Sequence, residues 1–281
     1  MLNDFLNNLR RPEGLPDFDN PPLDEVAITL VFSQMLDFSK EWVADFQKKV
    51  INEFPKIEVK NSVVIHMIED LSTQPNLPVT FNIPMGQNRY WLISEDDATL
   101  VQLQHDSFIF NWRRRDKEYP HFEAILPKFW TSLEKYLELV EEKGYANLVL
   151  RQVQVEYINW IPEDMLGKTD VLKAGKYLSL NNLGEITLPD DETFLARYSV
   201  RNDSGVYARL YLQSQSALRD EPMLKDGRSY GTQTILSFRV PCNRNVEENW
   251  LFSTLSEGRN IIVKSFTELT SELGHKIWGK K

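Results

Sequence analysis

The chain has 281 residues, 42% of them hydrophobic and 26% charged, a composition that supports a packed core and excludes wholesale disorder. Its 41 carboxylates against 32 Lys and Arg give a formal charge of -9, so the average field repels phosphate backbones and anionic membranes unless a local basic patch reverses it. The single cysteine, Cys242, excludes an internal disulfide and points to a reducing cytoplasm, and the first fourteen residues carry Asp4 and no long apolar run, so neither a secretory leader nor a membrane span is expected there.

Residues 10–22, RRPEGLPDFDNPP, hold four prolines and one glycine and read as an extended lead-in. Glu25 to Ser33, EVAITLVFS, is β-branched and apolar with too few polar positions for a one-faced strand, which places it centrally in a sheet. The period then changes: Trp42, Phe46, Val50 and Phe54 recur every fourth residue, Val43 and Ile51 widen the stripe, and Pro55 stops the helix. Val59 to Ile68 returns to strand character, and the proline-bearing stretch from Glu69 to Asn88 reads as a long loop. RYWLIS, TLVQLQ and SFIFNW follow as three strands joined by EDDA and His105-Asp106, links short enough for antiparallel hairpins. From Tyr119 onward, Phe122, Leu126, Phe129, Leu133, Tyr136 and Val140 step by threes and fours as a long helix that ends at Gly144.

The same order begins again with LVLRQVQVEYINW, whose alternation sets Val149, Val153, Val155 and Tyr157 on one face. A shorter, less apolar crossover helix is expected within PEDMLGKTDVLKAG, and YLSLNN and EITLP compete for the next strand. FLARYSV and VYARLYLQ form a hairpin around RNDSG, and TQTILSFRV supplies a strand before Pro241. A last helix runs from Leu251 to Ile277, and Gly258 within it marks either a close backbone approach, the favoured reading, or a break. These elements predict an α+β protein: a curved antiparallel sheet packed on two long helices, built from two divergent β-α-β-β-β-β-α repeats. The lead-in spans 1–22 and the repeats 23–147 and 148–281, sharing one body.

NPPLDEVAITLVF at Asn20 to Phe32, FIFNWRR at Phe108 to Arg114 with Tyr119-Pro120 and Phe122-Glu123 after it, EYIN at Glu156 to Asn159 and the closing Trp278-Gly279 together resemble an uncharacterised, sporadically distributed prokaryotic protein family. The resemblance spans nearly the whole chain and implies no assigned activity; patchy occurrence implies a mobile-element or defence context. By analogy of topology alone, the order strand, helix, four strands, helix is also that of a half-domain of the TATA-binding-protein-like fold, and a fold does not fix a function.

The sharpest polar cluster is Asn111, Trp112, Arg113, Arg114 and Arg115. It reads either as a basic edge with an aromatic platform for phosphate or carboxylate, or as a core tryptophan whose neighbouring arginines pair with acids such as Asp116 and Glu118. Arg151, Tyr157 and Asn159 fall on one strand face; buried charge there needs partners, which a concave central site would supply, and fraying of the strand at both ends explains Arg151 and Asn159 equally well. His66, His105, His121 and His275 have no metal-ligand spacing, and Gly167-Lys168-Thr169 lacks the glycine a phosphate loop requires five positions earlier. Cys242 reads as a buried or merely tolerated thiol.

The leading expectation is therefore a non-enzymatic binding protein, with no cofactor and no metal, that meets a protein partner or a second copy through the sheet face opposite the helices. A nucleic-acid binder using Trp112, Arg113, Arg114 and Arg151 on the sheet surface is the second reading. A ligand cavity of about 300 Å³ or more between sheet and helices, lined by residues such as Arg151, Tyr157 and Asn159, is the third.

Overall fold

The computed structural model describes residues 9–35, 37–61, 68–72, 88–115, 118–145, 148–162, 193–220 and 228–281. Among the described residues, nine strands form one antiparallel sheet: β1 (Leu23–Phe32), β2 (Lys56–Asn61), β3 (Asn88–Ile93), β4 (Thr99–Gln104), β5 (Ser107–Arg113), β6 (Leu150–Pro162), β7 (Thr193–Asn202), β8 (Gly205–Asp220) and β9 (Arg228–Arg244). Their spatial order is β2-β3-β4-β5-β1-β6-β9-β8-β7, so β1 and β6 lie side by side at the centre. The helices are α1 (Lys40–Val50), α2 (Phe122–Glu142), α3 (Glu248–Leu269) and α4 (Glu272–Ile277). Among the described residues, no helix is long and apolar enough to cross a membrane.

Local chemistry sets the helix ends. Ser39 caps α1 by accepting from the backbone N–H of Trp42 at 3.3 Å, and Ser271 caps α4 through Gly274 at the same distance. Gly144 takes φ of 87°, a value that disfavours an L side chain, and closes α2.

One face of the sheet carries buried apolar positions of the central strands: Ile28 and Leu30 of β1, Phe108 and Phe110 of β5, Val153 and Val155 of β6, and Phe238 of β9. Cross-strand pairing puts them on the same side, with Ile28 opposite both Phe110 and Val155, and Val155 opposite Phe238. α2 packs there through Phe129, edge-on to Phe108 and Phe110 at 6.2 Å, and meets α3 where Trp130 contacts Phe252 at 4.9 Å. Fully burying a side chain of this size contributes roughly 1.5–3 kcal/mol, so this layer is the main source of stability.

The lead-in is tied to the far end of the chain. Phe18 bridges to Lys280, Asp19 and Asn20 donate backbone N–H groups to the carbonyls of Gly279 and Trp278 at 3.0 Å, and the Phe18 ring stacks edge-on against Phe266, His275 and Trp278.

Several expectations shift. The strand placed at 59–68 is Lys56–Asn61, and residues 62–67 lie outside the described set; Val59 is 54% exposed because β2 is an edge strand. β9 continues through Pro241, which a register shift in the β6–β9 pair accommodates. The last helix divides at Thr270 and Ser271 into α3 and α4. The expected crossover helix in 162–175, the competing strands YLSLNN and EITLP and the rejected phosphate-loop residues 167–169 fall outside the described residues.

Candidate binding surface on the open sheet face

Alternate residues of each strand point away from the helices. On the first half of this open face a chain of hydrogen bonds crosses four strands. Arg89 of β3 donates to Gln102 of β4 at 2.9 Å, Gln102 donates to Asn111 of β5 at 2.8 Å, and Asn111 donates to Glu25 of β1. Burial pushes the Glu25 carboxyl up to about 7, against the opposing pull of the Asn111 bond and the Arg113 charge. Beside this chain the Trp91 ring lies beneath three cations, Lys60 at 4.9 Å, Arg89 at 5.1 Å and Arg113 at 5.7 Å from its centroid.

The second half repeats the pairing of aromatic ring and cation. Arg239 lies 4.5 Å over Tyr211, and Arg219 lies 5.8 Å over Trp160 while donating to Asp24 at 2.9 Å. Gly231 makes room for that indole, since a Cβ there would stand 2.9 Å from it. Residues 68–72 cross this half. Glu69 donates its N–H to Gln152 at 2.9 Å and its carboxylate accepts from Arg239 at 3.4 Å, while the Leu71 carbonyl accepts from Arg209 at 3.3 Å.

The centre of the open face is buried, with Thr29, Ser107, Gln154 and Ser237 all at most 5% exposed. Its flanks are accessible: Lys56, Glu58, Leu195 and Arg197 are exposed, and Trp91 and Arg89 are half-buried.

The structure separates the residues singled out from sequence. Trp112 is a core residue against Tyr119 at 5.2 Å, on the helix face. Arg113 and Arg115 both bind Asp97, a turn residue with φ of 57°; Asp116 lies outside the described residues. Arg114 donates to the Pro21 carbonyl at 2.9 Å and to Asn20, and so fastens the lead-in. Arg151 is exposed and donates to Asn243, because the register shift at Leu150/Gln152 turns it out of the face that holds Val153. Asn159, at the other end of β6, is buried and donates to the Thr234 carbonyl at 3.2 Å. Tyr157 shares a 2.9 Å hydrogen bond with Tyr119.

Tyr157 and Asn159 do share one feature, a cleft of about 50 Å³ between the lead-in, β6 and α3, lined also by Phe18, Leu23, Ile262 and Phe266. That holds a few water molecules and is far smaller than a site for a drug-sized ligand. Next to it, Arg259 of α3, 3% exposed, pairs with Glu123 of α2 at 2.6 Å. Cys242 is half-buried, donates to the Leu150 carbonyl at 3.4 Å, and burial pushes its thiol up to about 11. Among the described residues, no three His, Cys, Asp or Glu side chains converge as a metal site.

Sequence reasoning missed Glu25, Arg89, Trp91, Gln102, Glu69, Arg239 and Tyr211. The alternation in TLVQLQ and RQVQVEY carries part of the signal, placing glutamines on the face opposite the valines, but their partners depend on strand register. Comparison with known protein families and with curated proteins finds no match.

Proposed function

We propose that this is a non-enzymatic binding protein whose working surface is the open face of the sheet, and that its partner is a macromolecule presenting negative charge. One observation carries the reading. Lys56, Lys60, Arg89, Arg113, Arg197, Arg209, Arg219 and Arg239 sit at open-face positions of the strands, joined at strand positions, among the described residues, by the carboxylates Glu25, Glu58 and Glu156, while Asp97, Asp24 and Glu69 pair with Arg113, Arg219 and Arg239, so that cations still outnumber acids there. A chain of formal charge -9 therefore concentrates cations on one side. Complementary charge of this kind steers association and selects partners.

The acidic remainder of the chain makes a second copy or another acidic protein a suitable partner. The aromatic–cation pairs at Trp91, Tyr211 and Trp160 favour the second reading, a nucleic acid, because stacking platforms interleaved with cations suit bases and phosphates together.

The architecture we infer for this surface is a duplicated unit. Outward from the central pair, β1 is followed by β5, β4, β3 and β2, and β6 by β9, β8 and β7, so each side runs outward from last strand to first, with one strand fewer beside β6 among the described residues. By analogy of element order along the chain alone, strand, helix, four strands, helix is that of the TATA-binding-protein-like half-domain, an analogy that carries no function with it.

The test is binding to an immobilised polyanion such as heparin, with salt varied. Wild type should bind at low salt, and changing Lys56, Lys60 and Arg197 to Glu should lower the slope of log affinity against log salt by about three, one for each cation replaced. Equal slopes, or no binding by wild type, would refute the reading.

A further inference from the structure

We propose that Glu69 occupies a phosphate subsite of a single-stranded nucleic-acid surface, so that residues 68–72 act as an internal competitor for the second half of the open face; this rests on the open-face reading above. Three observations converge on it. First, the Glu69 side chain is 7% exposed, and its carboxylate sits on the Arg239 guanidinium at 3.4 Å, the charge and geometry a phosphate oxygen would present. Second, the main chain that carries it is held as a ligand would be: Gln152 accepts from the Glu69 N–H and Arg209 donates to the Leu71 carbonyl. Asp70 shapes the segment by accepting from the Ser72 N–H at 2.8 Å.

Third, the first half has an equivalent that no residue of this segment covers. There Trp91 lies beneath Arg89, whose guanidinium bonds to the Gln102 amide. An arginine stacked on an aromatic ring presents both a charge and a plane, and a base can stack on either. Only a single strand exposes base faces for such stacking. The amides of Gln102 and Asn111 are spent on each other and on Glu25, which leaves little capacity for reading base edges and predicts tolerance of sequence.

Removing the carboxylate is then a gain-of-binding change. Fluorescence anisotropy with labelled oligo-dT and oligo-U at low salt tests it, using the full chain and three variants whose folding is checked by thermal melting. Glu69→Gln should bind about fivefold more tightly than wild type, the equivalent of one partly exposed ion pair. Glu138→Gln, which makes the same charge change on helix α2, should shift affinity much less, and Arg239→Gln should weaken binding. If Glu69→Gln and Glu138→Gln behave alike, the competitor role of Glu69 is overturned. If neither oligonucleotide binds wild type or Glu69→Gln while heparin does, the nucleic-acid assignment fails and the open-face reading survives. If none of the three polyanions binds, both fail.

Discussion

A Cβ on Gly258 would stand 2.5 Å from Cδ1 of Phe238, so the absence of a side chain on α3 sets how closely that helix approaches β9. The glycine costs helix propensity, and its benefit is contact with a fully buried ring. Gly258→Ala is therefore expected to destabilise the protein by about 1–3 kcal/mol through overpacking, reduced by up to about 1 kcal/mol of helix propensity. Urea denaturation of the two proteins gives the difference; a stabilised variant would mean that α3 does not lie this close.

The buried pair of Arg259 and Glu123 joins α3 to α2. Removing one partner strands a charge, so Arg259→Met should cost about 3–5 kcal/mol. Combined with Glu123→Leu it should cost clearly less than that, because no charge is left behind. A double-mutant cycle from melting curves measures the coupling, and additive single effects would contradict a direct pair.

Glu25 makes stability depend on pH. Its folded-state value of about 7 lies above the ordinary 4.5, so the folded protein holds this proton over a range in which the unfolded chain has lost it. The contribution is full below about 4.5 and is lost as pH rises through about 7, amounting to up to about 3 kcal/mol. Glu25→Gln should remove this fall, leaving the variant more stable than wild type at pH 8. Parallel stability curves for the two proteins from pH 4.5 to 8 would show that the carboxyl is not held neutral.

Phe18 is 8% exposed and its ring contacts Phe266 and Trp278. Phe18→Ala should cost about 3–5 kcal/mol, as for other buried phenylalanines, and should free both chain ends together. Hydrogen exchange is the readout: the amides of Asp19, Asn20 and Lys281, bonded across the clasp, should lose protection in step. Loss at one end alone would show that the two segments do not depend on each other.

Most of the strands, α1 and α2, the proline-rich lead-in and the close approach at Gly258 were legible because each rests on local pattern: period two, period four, or a residue type with one physical role. The sites were less legible because their chemistry is assembled across strands. Arg113 and Arg115 read either as a basic edge or as partners of acids close by in sequence, and the partner both take is Asp97, in a turn that reads as an ordinary acidic link. Arg151 looked inward-facing because alternation was counted through a register shift that sequence does not mark. Trp91 and Arg89 fall in an ordinary strand, and their importance appears only when Lys60 and Arg113 arrive from β2 and β5. Glu69 sits in what reads as a loop, and only the fold lays it on Arg239.

The central claim, that the open sheet face is the working surface, is tested most directly by lysine-acetylation footprinting, read by mass spectrometry, with and without saturating heparin. Lys56 and Lys60 lie on that face, whereas Lys48 on α1 and Lys264 on α3 are exposed on the helical side. The predicted result is protection of Lys56 and Lys60 with unchanged reactivity at Lys48 and Lys264. Protection of the helical lysines, with Lys56 and Lys60 left reactive, would contradict it.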